Sequence, residues 1–227
     1  MDNLNNILEK FDSLRTVMIS KNEWNENAVA KCFEPCAKEI LLNGYFLVKN
    51  KYAIELGSIE LYYHEENGPI KDYIMYHREG RVNSRIKEYN RGLLPYFDFG
   101  TLNLHQSGVD ITFEDNRHPE NPEYRASVLI RAFRVEEVKT IPGLLFTQTV
   151  DERSTYFYNA LFMGVNVIAG GMRVYWHDND VKECEVPLSK PRLNVGEFVK
   201  KTRKKGYIYY EKKKEFKQDE RAWAFYR

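Results

Sequence analysis

The sequence predicts an α+β fold: a single domain on a curved, mostly antiparallel β-sheet with peripheral helices. Three observations carry this. Helical periodicity is confined to the first 42 residues and one short later stretch. The middle of the chain runs as β-rich segments, mostly bounded by Gly, Asn or Pro. Strands and helices do not alternate in the regular way that builds parallel βαβ units.

Taken in order, a first helix is expected over residues 4–14 and a second from about 27 to 42. In the second, Val29, Phe33, Cys36, Ile40 and Leu41 recur near helical spacing. Pro35 falls inside it and marks a place for a kink. Asn43-Gly44 suits its C-terminus. The period then changes. Strands are expected over 45–48, 53–63, 97–104, 109–113 and 126–135, with a hairpin turn at Asn50-Lys51 between the first two. Residues 154–163 (STYFYNALFM) predict a short helix, capped by Ser154, with Tyr158, Leu161 and Phe162 toward the core. Late strands are expected over 206–210 and 222–226. No composition shift divides the chain, so 1–227 is read as one domain, with residues 1–25 as an N-terminal helix extension and 200–227 as basic C-terminal strands.

Composition excludes several classes. With 43% hydrophobic and 30% charged residues, the chain can build a packed core and is not disordered. No stretch approaches the roughly 20 apolar residues that span a bilayer. The N-terminus has no basic start or apolar run of a signal peptide. Three cysteines, Cys32, Cys36 and Cys184, are too few and too odd in number for a disulfide framework. No His or Cys cluster completes a metal site. The three are read as buried thiols in a reducing, cytoplasmic setting. Charge is unevenly spread. Residues 200–227 hold eleven Lys/Arg and four Asp/Glu, whereas the whole chain nets only +1. A basic end on a slightly acidic body suits either a polyanion or plain solvent.

Two charged residues stand out because they interrupt apolar strands. Glu60 lies in AIELGSIELYY (53–63), with Tyr62 two residues on and therefore on the same face. A carboxylate there must be solvated, paired or functional. Arg131 lies in VLIRA (128–132). Its guanidinium cannot shed its charge, so it needs a carboxylate or a ligand, and Glu60 is the expected partner. A structural salt bridge accounts for the pair as simply as a site does. Between the two strands runs a long polar stretch, GRVNSRIKEYNRG (80–92), read either as an exposed loop or as a functional one.

The order of short motifs is more specific than any one of them. Glu60-Leu61-Tyr62 is followed by Gly68-Pro69, Asp72, His77, GRVNSR (80–85), NRG (90–92), FGTL (99–102), VLIRA (128–132), NAL (159–161) and a terminal AFY (224–226). Over roughly residues 30–227 this order resembles the alkyladenine (methylpurine) DNA glycosylase family. The resemblance implies a methylpurine-DNA-glycosylase-like fold and base excision in which a damaged purine is flipped from DNA into a pocket. It implies that Glu60 activates the water that attacks C1′ of the deoxyribose and that Arg131 helps to hold that water. Tyr62 and His77 match the aromatic residues that contact the flipped base, and Arg81, Arg85 and Arg91 lie in the loop that tracks phosphates. No cofactor is implied, since hydrolysis needs only water. The implied partner is DNA, duplex or single-stranded, with a monomer favoured and no membrane.

The sequence also departs from the family. Ser107, just before Gly108, stands where the family has the Tyr that wedges into the base stack, and Ser cannot fill that gap. His105 replaces a pocket Tyr. Glu114 replaces a pocket Asn that helps to reject normal guanine. Ala224 replaces an Arg before Phe225-Tyr226, and the insertion YHEEN (63–67) brings two acids toward the implied DNA face. Two functional classes follow: a diverged glycosylase, or a catalytically inactive glycosylase-like module that binds nucleic acid, a nucleoside or a protein.

Overall fold

The computed structural model describes residues 4–65, 67–72, 75, 100–105, 107–115, 123–137, 153–162, 174–179, 184–192, 198–204, 207–212 and 219–227. Two helices come first. Helix α1 (Leu4–Ser20) runs six residues past its expected end at Leu14. It stops at Asn22, whose φ of 57° is left-handed. There the N–H of Glu23 donates to Met18 C=O and that of Asn22 to Ile19 C=O, the paired bonds of a Schellman end. Helix α2 (Glu26–Leu42) is capped by Asn25, whose side chain accepts from the N–H groups of Asn27 and Ala28. It continues through Pro35, which sits on the exposed side, where the missing N–H matters least.

The strands follow the expected order with shifted ends. They are β1 (Gly44–Val48), β2 (Tyr52–Glu65), β3 (Thr101–His105), β4 (Gly108–Glu114) and β5 (Tyr124–Glu137). The β1–β2 turn is centred one residue earlier than expected. Lys49 and Asn50 both have positive φ, and Lys51 N–H donates to Val48 C=O. Then come β6 (Val174–Asp178), β7 (Leu188–Lys190), β8 (Phe198–Lys204), β9 (Tyr207–Lys212) and β10 (Ala224–Tyr226). Eight strands form one curled antiparallel sheet, a half-barrel, in the order β3-β4-β5-β2-β1-β6. β10 joins it beside β2, with β7 outside β10, while β8 and β9 pair separately. The chain is thus an α+β domain with few helices.

Strand alternation gives this sheet two different faces. Ile59, Leu61 and Tyr63 of β2, Val128 and Ile130 of β5, and Ile111 and Phe113 of β4 turn to the helices and are fully buried. Phe11 of α1 sits at the middle of this layer. Its ring meets those of Trp24, Phe33, Tyr63, Phe113 and Tyr124 at centroid distances of 5.5–6.5 Å. The N-terminal 25 residues therefore contribute to the main core. On the other face the apolar end, Phe46 and Phe133, is covered by Phe157 at 5.8 and 5.2 Å. Phe157 belongs to α3 (Phe157–Leu161), entered through a 3-10 turn (Ser154–Tyr156).

This last segment corrects the sequence reading. Ser154 caps no helix; its hydroxyl donates to Ser107 C=O at 3.0 Å and ties the turn to the β3–β4 hairpin. Phe157, Ala160 and Leu161 are buried, whereas Tyr158 and Phe162 are exposed. A five-residue helix has too few turns to bury more than one side, and Phe157 claims it.

Candidate functional site

The remaining part of the second face is polar, yet largely buried. The register aligns Glu60 of β2 with Leu129 of β5 and Asp110 of β4. The next row on the same face is Tyr62, Ser127 and Thr112, and the one after it is His64, Arg125 and Glu114. A buried polar group is costly unless partnered, so each such residue must find its partner on this face.

Glu60 is 3% exposed. Its Oε2 accepts from the Tyr62 hydroxyl at 3.0 Å, and its Oε1 lies 3.5 Å from Arg131 Nε. The pairing expected between Glu60 and Arg131 is therefore present. Arg131 reaches Glu60 through a backbone irregularity. The register pairs Ser58 with Ala132 and Ile59 with Ile130, so Arg131 is an extra residue, a bulge. A second extra residue, Gly57, sits on β2 between Leu56 and Ser58 and restores the count. Bulges re-aim side chains in this way. The Arg131 side chain is 31% exposed, so the pair is open to solvent on one side rather than sealed.

Tyr62 is held from below. The guanidinium carbon of Arg192 lies 4.5 Å from its ring centroid. Burial, and then the charge of Glu60, push its phenol well above the ordinary tyrosine range, so it stays a proton donor to Glu60. Arg192 is fully buried. It donates to Leu61 C=O at 3.0 Å, to Asp72 Oδ2 at 2.7 Å and to Asp219 Oδ2 at 2.7 Å. Burial alone would raise the Asp72 carboxyl, but Arg192 and then Arg221 outweigh it and hold it below its usual range. Asp219 shows the same balance. Asp72 N–H in turn donates to His64 Nδ1 at 3.0 Å, which leaves that ring's proton on Nε2.

Asp110 is a member of the site that the sequence reading passed over. Its Oδ2 accepts from Ser127 Oγ at 3.1 Å, and its Oδ1 lies 3.0 Å from His105 Nε2. His105 Nδ1 accepts from Ser107 N–H at 3.2 Å. Serine, aspartate and histidine are thus linked through the aspartate. A nucleophilic serine needs the histidine as its direct partner, and that contact is not made. The signal for Asp110 was the same as for Glu60: a lone carboxylate inside an apolar strand, VDITF.

The other expected residues fall as follows. Glu114 is buried and faces its cross-strand partner Arg125 at 3.5 Å. Ser107 lies exposed at the tip of the β3–β4 hairpin. Ala224 is directly opposite Glu60 on β10. Glu65, in the inserted YHEEN, is buried on the helix face, bonded by Arg15, Tyr63 and Trp24, and does not reach an exposed surface. His77, Arg81, Arg85 and Arg91 lie outside the described residues. Among those described, no cluster of His, Cys, Asp and Glu has the arrangement to hold a metal ion, and no helix is long and apolar enough to cross a membrane. Cys32 and Cys36 are buried as expected, but Cys184 is exposed.

No family model, no curated protein and no solved structure matches this chain.

Proposed function

We propose that this protein is a diverged methylpurine-DNA-glycosylase-like enzyme, hydrolysing the N-glycosidic bond of a damaged purine in DNA with Glu60 as the base that activates water. The observation that supports this most is Glu60 itself. It is a buried carboxylate on a polar sheet face, flanked by a phenol donor and by an arginine that keeps one side open. In the proposed reaction a water between Glu60 and Arg131 gives its proton to Glu60 as its oxygen bonds to C1′. The C1′–N bond breaks and its electron pair leaves with the base. The carboxylate also stabilises the oxocarbenium-like charge that develops on the sugar. Tyr62, bonded to Oε2, orients the carboxylate so that Oε1 meets the water.

A second reading rests on Tyr62. One face of its ring already meets Arg192, so a flipped base has only the other face or the edge. With Ser107 at the hairpin tip in place of a wedge, this favours a module that binds a nucleic acid or nucleoside without excising a base.

Single-turnover base release separates the readings. Duplex and single-stranded oligonucleotides carrying hypoxanthine, an etheno-adenine or a methylated purine are incubated with wild type and Glu60→Gln. The enzyme reading expects release by wild type and a loss of about 10²-fold or more in the variant. Failure of a folded wild type to release base from any of them sinks the enzyme reading and leaves the module.

A further inference from the structure

On the opposite side of the sheet, away from Glu60, lies a cleft of about 540 Å³ between the end of α1, the α1–α2 connection and the loop after β2. That volume lies within the range of small-molecule sites. Its lining is mixed: Ile19, Trp24 and Pro69 give it an apolar side, Asn22, Asn67 and Glu123 a polar one, and Arg15 and Glu65 are buried.

Arg15 is a preorganised donor. Its Nε donates to Tyr63 Oη at 2.7 Å and its Nη2 to Glu65 Oε1 at 3.2 Å. Its guanidinium carbon is 4.8 Å from the Tyr124 ring centroid and 5.6 Å from that of Trp24. Glu65 in turn is saturated. Oε1 also accepts from Trp24 Nε1 and Tyr63 Oη, and Oε2 accepts from Ile70 N–H. These bonds fix the fork in place. The third partner differs. Arg15 Nη1 donates to Glu123 at 3.1 Å, and the Glu123 side chain is 55% exposed. An arginine has five N–H donors, so these bonds use three of them.

We propose that this cleft binds a small anion, a carboxylate or a phosphate ester with a flat apolar body, and that Glu123 holds the anion's place until it arrives. The anion takes the Nη1 position from Glu123 and gains the second fork donor. Its apolar part lies against Trp24, Ile19 and Pro69. The anion replaces Glu123 in its ion pair with the buried Arg15, and the Glu123 carboxylate, 55% exposed, can turn to solvent. The proposal is independent of base excision, because none of these residues is on the Glu60 face.

The test is a titration of the full chain with benzoate, phenyl phosphate and, as the opposite charge, phenethylammonium. The readout is the Trp24 indole N–H resonance, assigned by Trp24→Phe. The expected result is a saturable shift with one or both anions and none with the cation; which anion binds names the headgroup. Glu123→Gln removes the competing charge and tightens binding about two- to fivefold or more, a change of roughly 0.4–1 kcal/mol or above. Arg15→Lys loses the fork and most of the binding. If that variant does not fold, Glu123→Gln decides alone. No shift with either anion, a shift with the cation, or anion binding that Glu123→Gln leaves equal or weaker overturns the proposal.

Discussion

Arg192 shows how much can depend on one side chain. It is sealed, it answers two carboxylates, and it supports the ring whose hydroxyl orients Glu60. Removing it leaves the buried Asp72 only the longer contact with Arg221 at 3.6 Å, so Arg192→Leu is expected to destabilise the fold by about 3–5 kcal/mol, read as a drop in denaturation midpoint. The same network sets an acid limit. Asp72 and Asp219 have depressed carboxyl pKa values, so the stability they contribute is complete above the ordinary aspartate range. It is lost as the pH falls through their folded values, below about pH 4. Urea midpoints measured across that range should fall steeply for wild type and much less for Asp72→Asn. The thiols make a contrast. Cys36 is buried, donates to Ile7 C=O at 2.9 Å and is pushed up to about 12, first by burial. Cys184 is exposed. Alkylation of native protein at neutral pH is expected to label Cys184, and mass spectrometry finding Cys36 modified at a similar rate contradicts this packing.

At the scale of elements, the most informative contacts are those where backbone meets ring. Gly44 begins β1 opposite Asp178, and a Cβ there would lie 2.3 Å from the Trp176 ring of β6. The ring itself is fixed against Phe46 at 5.1 Å and donates to Asp178 at 3.1 Å. Gly44→Ala must push Trp176 aside, and is expected to cost about 1–3 kcal/mol and to expose the β1–β6 edge. Increased amide exchange confined to 44–48 and 174–178 is the signature. The long strands were legible because their sequences alternate and are bracketed by turn residues. β6 and β7 were not expected from the sequence. β7 is three residues with exposed side chains, and among the described residues it pairs with β10, a strand far along the chain. The compensating bulges at Gly57 and Arg131 were equally hidden. A bulge exists only in the register between two strands, and neither strand alone announces it. Thus the sequence brought Glu60 and Arg131 together by charge, but not the geometry that joins them.

For the whole molecule, the two-faced sheet explains what the sequence showed and what it did not. Its helix face is apolar and regular, so the core could be read from periodicity. Its other face buries Glu60, Asp110, Glu114, Ser127 and Thr112 inside strands that read as apolar, and only Glu60 and Glu114 drew notice. Partners for such residues come from neighbouring strands and from distant segments, which no local pattern encodes. Phe11 links the layers: Phe11→Ala is expected to cost about 3–5 kcal/mol, since five rings lose their common neighbour. Calorimetry should show one cooperative transition displaced as a unit. A separate early transition for residues 1–25 would show that the N-terminal segment is an appendage.

The pairing of β2 with β10 also bears on when the site comes into being. Glu60 lies opposite Ala224, Leu61 N–H donates to Trp223 C=O, and Arg192 has Trp223 5.1 Å away. Ribosomes deliver these segments in order, Glu60 well before Arg192, Trp223 and Ala224. Until residue 192 is made Tyr62 lacks the arginine beneath it, and until 224–226 are made the stretch of β2 that β10 covers has no strand there. The carboxylate is therefore made early and assembled late. A nascent chain halted before residue 223 carries Glu60, Tyr62, Arg131 and Arg192 but not the strand opposite Glu60, so any chemistry that depends on that strand begins only once β10 has docked.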